Sequence, residues 1–388
     1  MEAGTVKPNV ERSTHGDRAR HALRHAKGAL RRRVIELVGF LVVVYVVLKL
    51  IPALKQALHA LEHASWEWVV ALLAIEVLSE TGFVFTWSRV VDPDDVLARG
   101  ERGRRMDQHV AWMQLGGGLL LPGGTWGGAG AGGLILHRFG MPTKAIAERQ
   151  FNLGFLNTGI DALALVVVGL GLATGILAGE DNLLLTLLPA AVAGAGIVAA
   201  ILLAPRAGAA AKRLEGKHRK TAVTLATLAA AVEDTKRLFR RGAWTPLVGA
   251  VAYLGFETLV LWCAFRAVHA NPVPGFPIVV MAYIIGALGG SIPLPASAGT
   301  IGGVAGMLIV YGVAHNTALA AVLLHQAIGL LVPVIGGGIA YMILRRRFGP
   351  LRHAIDASGA SGASEPSDAS GASGASGASV PQTGSRGK

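Results

Sequence analysis

The sequence predicts an all-α polytopic membrane protein, built as an inverted repeat with two re-entrant broken-helix hairpins of opposite sidedness. Three observations lead there. First, 52% of the 388 residues are hydrophobic and only 15% are charged, and the apolar runs are long enough to cross a hydrocarbon core of about 30 Å. Second, a Gly-rich, Pro-marked apolar segment occurs twice: LGGGLLLPGGTWGGAGAGG from Leu115 to Gly133, and LGGSIPLPASAGTIGGVAG from Leu288 to Gly306. Third, Lys and Arg gather in short stretches beside the apolar runs, which orients the spans by the excess of positive charge on the cytoplasmic side.

The elements follow in order. Residues 1–33 carry nine Lys or Arg against three acidic residues and form a basic cytoplasmic arm suited to an anionic lipid surface. The first span runs over about 34–54 and the second over about 66–90, with Arg99, Arg102, Arg104 and Arg105 returning the chain to the cytoplasm. The first Gly-Pro segment ends near His137-Arg138, and Lys144 and Arg149 follow, so both of its ends face the same side and it is read as a hairpin. A third span over about 150–177 reaches the acidic turn Glu180-Asp181, and a fourth over about 183–204 leads to a basic loop, Arg206 to Arg241. Within that loop Thr221 to Val232 reads as an interfacial helix. A fifth span, about 244–268, exits at Asn271-Pro272; the second Gly-Pro segment then enters from the outside, and a sixth span over about 318–344 ends at Arg345-Arg346-Arg347. Span two, hairpin one and span three thus run opposite to span five, hairpin two and span six. The repeats cover about 66–178 and 244–345 within a transmembrane domain of 34–347, followed by an Ala-Ser-Gly tail over 348–388 that has too little apolar bulk to fold.

Several function classes are excluded or disfavoured by composition. The net charge of +12 flanks spans and makes no basic stripe on a soluble fold, which argues against nucleic acid. The single Cys263 permits neither a disulfide framework nor a Cys-based metal site. His59-Ala-Leu-Glu62-His63 fits a metalloprotease pattern by spacing, yet it lies in the turn between the first two spans without a third zinc ligand nearby. No Ser-His-Asp, Cys-His or paired-carboxylate arrangement is legible, so no catalytic residue, metal or cofactor is expected and the chain is read as a non-enzyme.

The candidate binding residues come from the two interrupted segments and from acids at membrane depth. Pro122, Gly123, Gly124, Thr125, Gly127 and Gly128 in the first segment match Pro293, Pro295, Ser297, Gly299, Thr300, Gly302 and Gly303 in the second. Broken backbone at that depth needs a protein or water-lined cavity, and half-helices starting near Thr125 and Thr300 would aim N–H groups at an anionic headgroup. The alternative for the glycines is close helix packing, which Gly128-Ala-Gly-Ala-Gly132 also suits. Glu80-Thr81 before Trp87 and Glu257-Thr258 before Trp262 form a second echo between the halves, with Glu76 one turn from Glu80. Arg149, Asn152, Asp161 and His325 also lie within or beside spans. Ionisable groups there face a cavity or a partner, so each is either a cavity residue or a packing group.

These residues carry a family resemblance. IPLPASAGTIGGVAGMLIVYGV, then ALAAVLLHQAIGLLVPVIGGGIAYMILRRR, and more loosely LPGGTWGG with Gly140 and Ala145, resemble the flippase-like membrane domain family, which includes the transmembrane region of lysylphosphatidylglycerol synthases. The likeness runs from about Leu37 to Arg347; where the family often has an acidic residue and then an Arg, this chain has Val304-Ala-Gly and His325. The resemblance implies a stand-alone member that moves or binds an anionic, aminoacylated or polyprenyl-linked lipid in the cytoplasmic membrane, both termini inside, without aminoacyl transfer of its own. Its leading function is lipid flipping. The other readings are a non-transporting scaffold that binds lipid or recruits a protein through the arm or tail, a small-solute carrier, and an intramembrane enzyme.

Overall fold

A computed structural model describes residues 65–97, 106–120, 125–179, 182–214, 218–240, 244–288 and 298–348. The basic arm, the first span, His59 to His63, Pro122 to Gly124, Pro293, Pro295, Ser297 and the tail therefore lie outside the described residues. The chain divides after Leu344 into two units. Of the second, only residues 345–348, the end of the last helix, are described.

Ten helices make up the described residues: α1 Trp66–Val90, α2 Met106–Leu120, α3 Thr125–Arg138, α4 Thr143–Ala173, α5 Leu183–Leu214, α6 Arg219–Arg240, α7 Trp244–Ala267, α8 Phe276–Ala287, α9 Ala298–Val310 and α10 His315–Phe348. Five of them, α1, α4, α5, α7 and α10, are long and apolar enough to cross a membrane. The helices α2, α3, α8 and α9 hold 15, 14, 12 and 13 residues, short of the roughly 20 a crossing needs.

The longer helices overrun the predicted spans at polar ends. α4 begins at Thr143 rather than Gln150, α5 continues to Leu214 rather than Ala204, and α6 extends from Arg219 to Arg240 rather than over 221–232. Hydropathy reads only the hydrocarbon-embedded part. Segments such as Thr143–Arg149 and Arg206–Leu214 continue the backbone ladder into the polar zone, where charge costs little.

α1 and α7 form the central pair. Ser79 Oγ donates to the Tyr253 carbonyl at 3.0 Å and Thr86 Oγ1 to the Pro246 carbonyl at 3.2 Å, so residue numbers rise on one helix as they fall on the other and the pair is antiparallel. Their backbones nearly touch: a Cβ on Gly82 would stand 2.8 Å from the Tyr253 nitrogen, and one on Gly249 would collide with Thr86 Oγ1. Between membrane helices, where lipid offers no hydrophobic drive, this close approach supplies the packing energy. Trp66 and Trp244, both largely exposed, open these two helices and so mark opposite ends of the pair, as interfacial aromatics do.

The short helices pack as pairs with glycine at each crossing. Gly128 of α3 lies against the Gln114 carbonyl of α2, and Gly132 sits beside Gln114 and Val110, which makes that pair antiparallel. Gly303 of α9 lies against the Gly286 carbonyl of α8. Gly116 of α2 in turn rests on Pro333 and Gly337 of α10. The main apolar core gathers Leu72, Phe265, Met281, Leu308, Leu324 and Ile328 from α1, α7, α8, α9 and α10. α5 lies outermost among the candidate spans, with 11% of its most apolar window buried.

Candidate functional site

The central site is a cavity of about 250 Å³ beside the α1–α7 crossing. Glu76, Glu80 and Phe83 come from α1, Gln114 and Gly118 from α2, Thr125 from α3, Tyr253 and Glu257 from α7, and His325 and Gly329 from α10. Glu76 and Glu80 are one turn apart on one face, and Glu257 reaches the same cavity from α7, where Ser79 Oγ donates to Glu257 Oε2 at 3.3 Å.

The three acids differ in how they are held. Glu257 also accepts from the Tyr283 hydroxyl at 3.2 Å. His325 Nε2 stands 3.2 Å from Glu257 Oε1, off the line of a well-directed hydrogen bond. Tyr283 and His325 meet edge to face with ring centroids 5.7 Å apart. Glu76 and Glu80 are 1% and 4% exposed, and the Oε2 atom of each has no hydrogen-bond partner. Because a buried polar atom without a partner is costly, by roughly 1–3 kcal/mol and more when charged, these two oxygens are the site's open valences.

The wall is built to stay polar. Trp87 Nε1 donates to Gln114 Oε1 at 2.7 Å, and Gln114 and Gln150 exchange amide hydrogen bonds at 2.9 and 2.8 Å, tying α1, α2 and α4 together. Pro333 lies inside α10 and has no N–H, so the Gly329 carbonyl four residues earlier loses its helix donor. Gly329 lines the same cavity. Among the described residues no three His, Cys, Asp or Glu side chains are grouped to hold a metal ion.

The structure brings together Glu76, Glu80, Glu257, His325 and Thr125 of the candidates read from the sequence. Arg149 instead donates to the Val91 carbonyl at 3.2 Å and pairs with Asp94 at 2.7 Å, and Asn152 donates to Asp234 at 2.9 Å. Both are brackets between α4 and its neighbours. Asp161 sits half-buried in the middle of α4 and does not line the cavity. Gly128 and Gly303 serve as crossing points, while a Cβ on Gly302 would meet open space; Gly299 is buried, Thr300 half-buried, and neither lines the cavity. Gly127 is half-buried in the first turn of α3. Sequence reasoning missed Ser79, Gln114, Gln150, Tyr253 and Tyr283. Their signal was available as isolated hydrogen-bonding side chains in apolar runs, but no spacing rule pairs residues 174 positions apart, as Ser79 and Tyr253 are.

The described residues form helices only, five of them long and apolar enough to cross a membrane, with an acidic cavity at the meeting of the central ones, which makes the chain a multi-pass membrane protein. The chain belongs to the family of the lysylphosphatidylglycerol synthase TM region, whose model matches residues 35–337. No curated protein matched the chain.

Proposed function

We propose that this chain is a lipid flippase that moves an aminoacylated phospholipid between the leaflets of the cytoplasmic membrane, with both termini cytoplasmic and no catalytic step. The observation that carries the reading is the cavity in which three glutamates and His325 meet beside the α1–α7 crossing. Three carboxyl groups disfavour a purely anionic headgroup and complement an ammonium group. Thr125, the first residue of α3, lines the same cavity, and the positive end of that helix supports the reading because it favours a phosphate.

Alternating access is supported by the order of elements. In each half a long Glu-Thr helix precedes a short glycine-crossed pair and then a long helix: α1, α2–α3, α4 against α7, α8–α9, α10. Antiparallel packing of α1 on α7 is what an inverted repeat requires of its matched helices. In this reading the short pairs are re-entrant hairpins, opposite in sidedness, within one transmembrane domain of 34–347, and their Gly-rich turns gate the headgroup.

The test is bilayer sidedness of labelled lipids in proteoliposomes. The expected result is faster equilibration of lysylphosphatidylglycerol than of phosphatidylcholine. If neither these nor a polyprenyl phosphate moves faster than in protein-free vesicles, the scaffold reading replaces flipping.

A further inference from the structure

A second cavity, of about 510 Å³, lies away from the acidic site, among α4, α5, α6 and α7. Its walls are apolar along almost their whole length. Phe155, Gly159 and Leu163 of α4 face Ala193, Gly196 and Ile201 of α5. Eight residues separate the ends of each of these wall segments, about 12 Å at the helical rise of about 1.5 Å per residue. That is close to the depth of one leaflet, half of a hydrocarbon core of about 30 Å. Two glycines hold the groove open from opposite walls, since a Cβ on either Gly159 or Gly196 would meet nothing within 4 Å.

One end of the groove is charged, for a local reason. Pro205 lies inside α5 and cannot donate to the carbonyl four residues earlier, on Ile201. Lys236 of α6 reaches that carbonyl, Nζ to oxygen 3.4 Å, which fixes the ammonium at the mouth of the groove. The carbonyl takes one of its three donors. The nearby acids are engaged elsewhere: Glu233 and Asp234 pair with Arg237 at 3.8 and 3.7 Å, and Asp234 also accepts from Asn152. With Arg219, Lys220, Lys236, Arg237 and Arg240 against Glu233 and Asp234, α6 carries five basic residues to two acidic ones.

We propose that this groove is a binding site for an anionic phospholipid of the surrounding bilayer, one acyl chain seated between Gly159 and Gly196 and its phosphate on Lys236. The site is separate from the acidic cavity and stands whether or not that cavity transports. A chain in the groove fills apolar space that a helix pair alone leaves open, and each methylene buried there contributes several-fold in affinity. The phosphate answers a cation that the Ile201 carbonyl already holds beside the groove.

The experiment purifies the full chain gently from vesicles of phosphatidylcholine and phosphatidylglycerol in equal amounts and counts retained lipid by native mass spectrometry. Wild type is expected to retain one phosphatidylglycerol in preference to phosphatidylcholine. Gly159→Leu and Gly196→Leu, each placing a side chain in the open groove, should reduce that retention at least tenfold, since leucine displaces several methylenes. Lys236→Gln should keep a lipid but lose about fivefold of the preference for phosphatidylglycerol, the factor one lysine contributes beside an anionic headgroup. Circular dichroism and elution volume identify any variant that misfolds; the remaining leucine variant then decides. Equal retention by wild type and the leucine variants, or the same lipid preference in wild type and Lys236→Gln, overturns the proposal in favour of ordinary boundary lipid.

Discussion

At the scale of single residues, the structure turns on polar side chains that satisfy one another inside an apolar bundle. The pair Gln114–Gln150, with Trp87 Nε1 donating to Gln114, gives the oxygen and the nitrogen of each amide a partner and so lowers the cost of burying them. Gln114→Leu strands both the indole N–H and the Gln150 amide, and a loss of about 1–3 kcal/mol is expected. Gln114→Leu with Gln150→Leu removes both amides and should be less damaging than the two single losses added. Thermal unfolding in detergent checks both; simple additivity would show that the pair is not coupled. The same logic explains two proline positions. Pro189 in α5 frees the Leu185 carbonyl, which accepts from the Tyr311 hydroxyl at 3.0 Å, and Pro205 frees the Ile201 carbonyl for Lys236.

At the scale of elements, glycine decides which helices approach. Gly249→Leu drives a side chain into the Thr86 hydroxyl, which is bonded to the Gly82 and Pro246 carbonyls, and against the Gly82 backbone. Overpacking of this kind costs about 1–3 kcal/mol, and the variant should insert into the membrane but elute as an expanded or aggregated species. Gly302→Leu, which meets open space, should elute as wild type does; indistinguishable elution of Gly249→Leu would contradict the role given to the α1–α7 crossing. Much of this level was legible. α1 and α7 begin at Trp66 and Trp244 as expected, because the change from charge to apolar residues is abrupt there, and α3 begins at Thr125. Less legible were the ends of α4, α5 and α6, where a helix continues in polar sequence that hydropathy cannot see. The site was half legible. Acids at membrane depth flagged Glu76, Glu80 and Glu257, but the same criterion flagged Asp161, which does not line the cavity, while Arg149 and Asn152 at the start of the third span form brackets with Asp94 and Asp234.

At the scale of the whole molecule, the proposal treats the chain as two inverted halves about the α1–α7 pair, with the acids of both halves converging on one cavity. Sidedness is the first consequence. Cysteines placed near Arg138 and near His315 should label from opposite faces of the membrane with an impermeant reagent, and the native Cys263 is buried. Labelling of both from one face would remove the inverted arrangement. The second consequence is that the acids act on a headgroup from within that shared cavity. A hydrogen bond between charged partners contributes about 1.5–3 kcal/mol against about 0.5–1.5 for a neutral one, so exchanging three carboxyl groups for amides should slow movement of an ammonium-bearing lipid by more than tenfold, with phosphatidylcholine hardly affected. The most direct measurement is the rate of transbilayer equilibration of labelled lysylphosphatidylglycerol in proteoliposomes holding wild type or the Glu76→Gln, Glu80→Gln, Glu257→Gln triple variant. Fast equilibration by wild type and its loss in a folded triple variant is the predicted result; equal rates for the two proteins, or a wild-type rate no faster than protein-free vesicles, would contradict it.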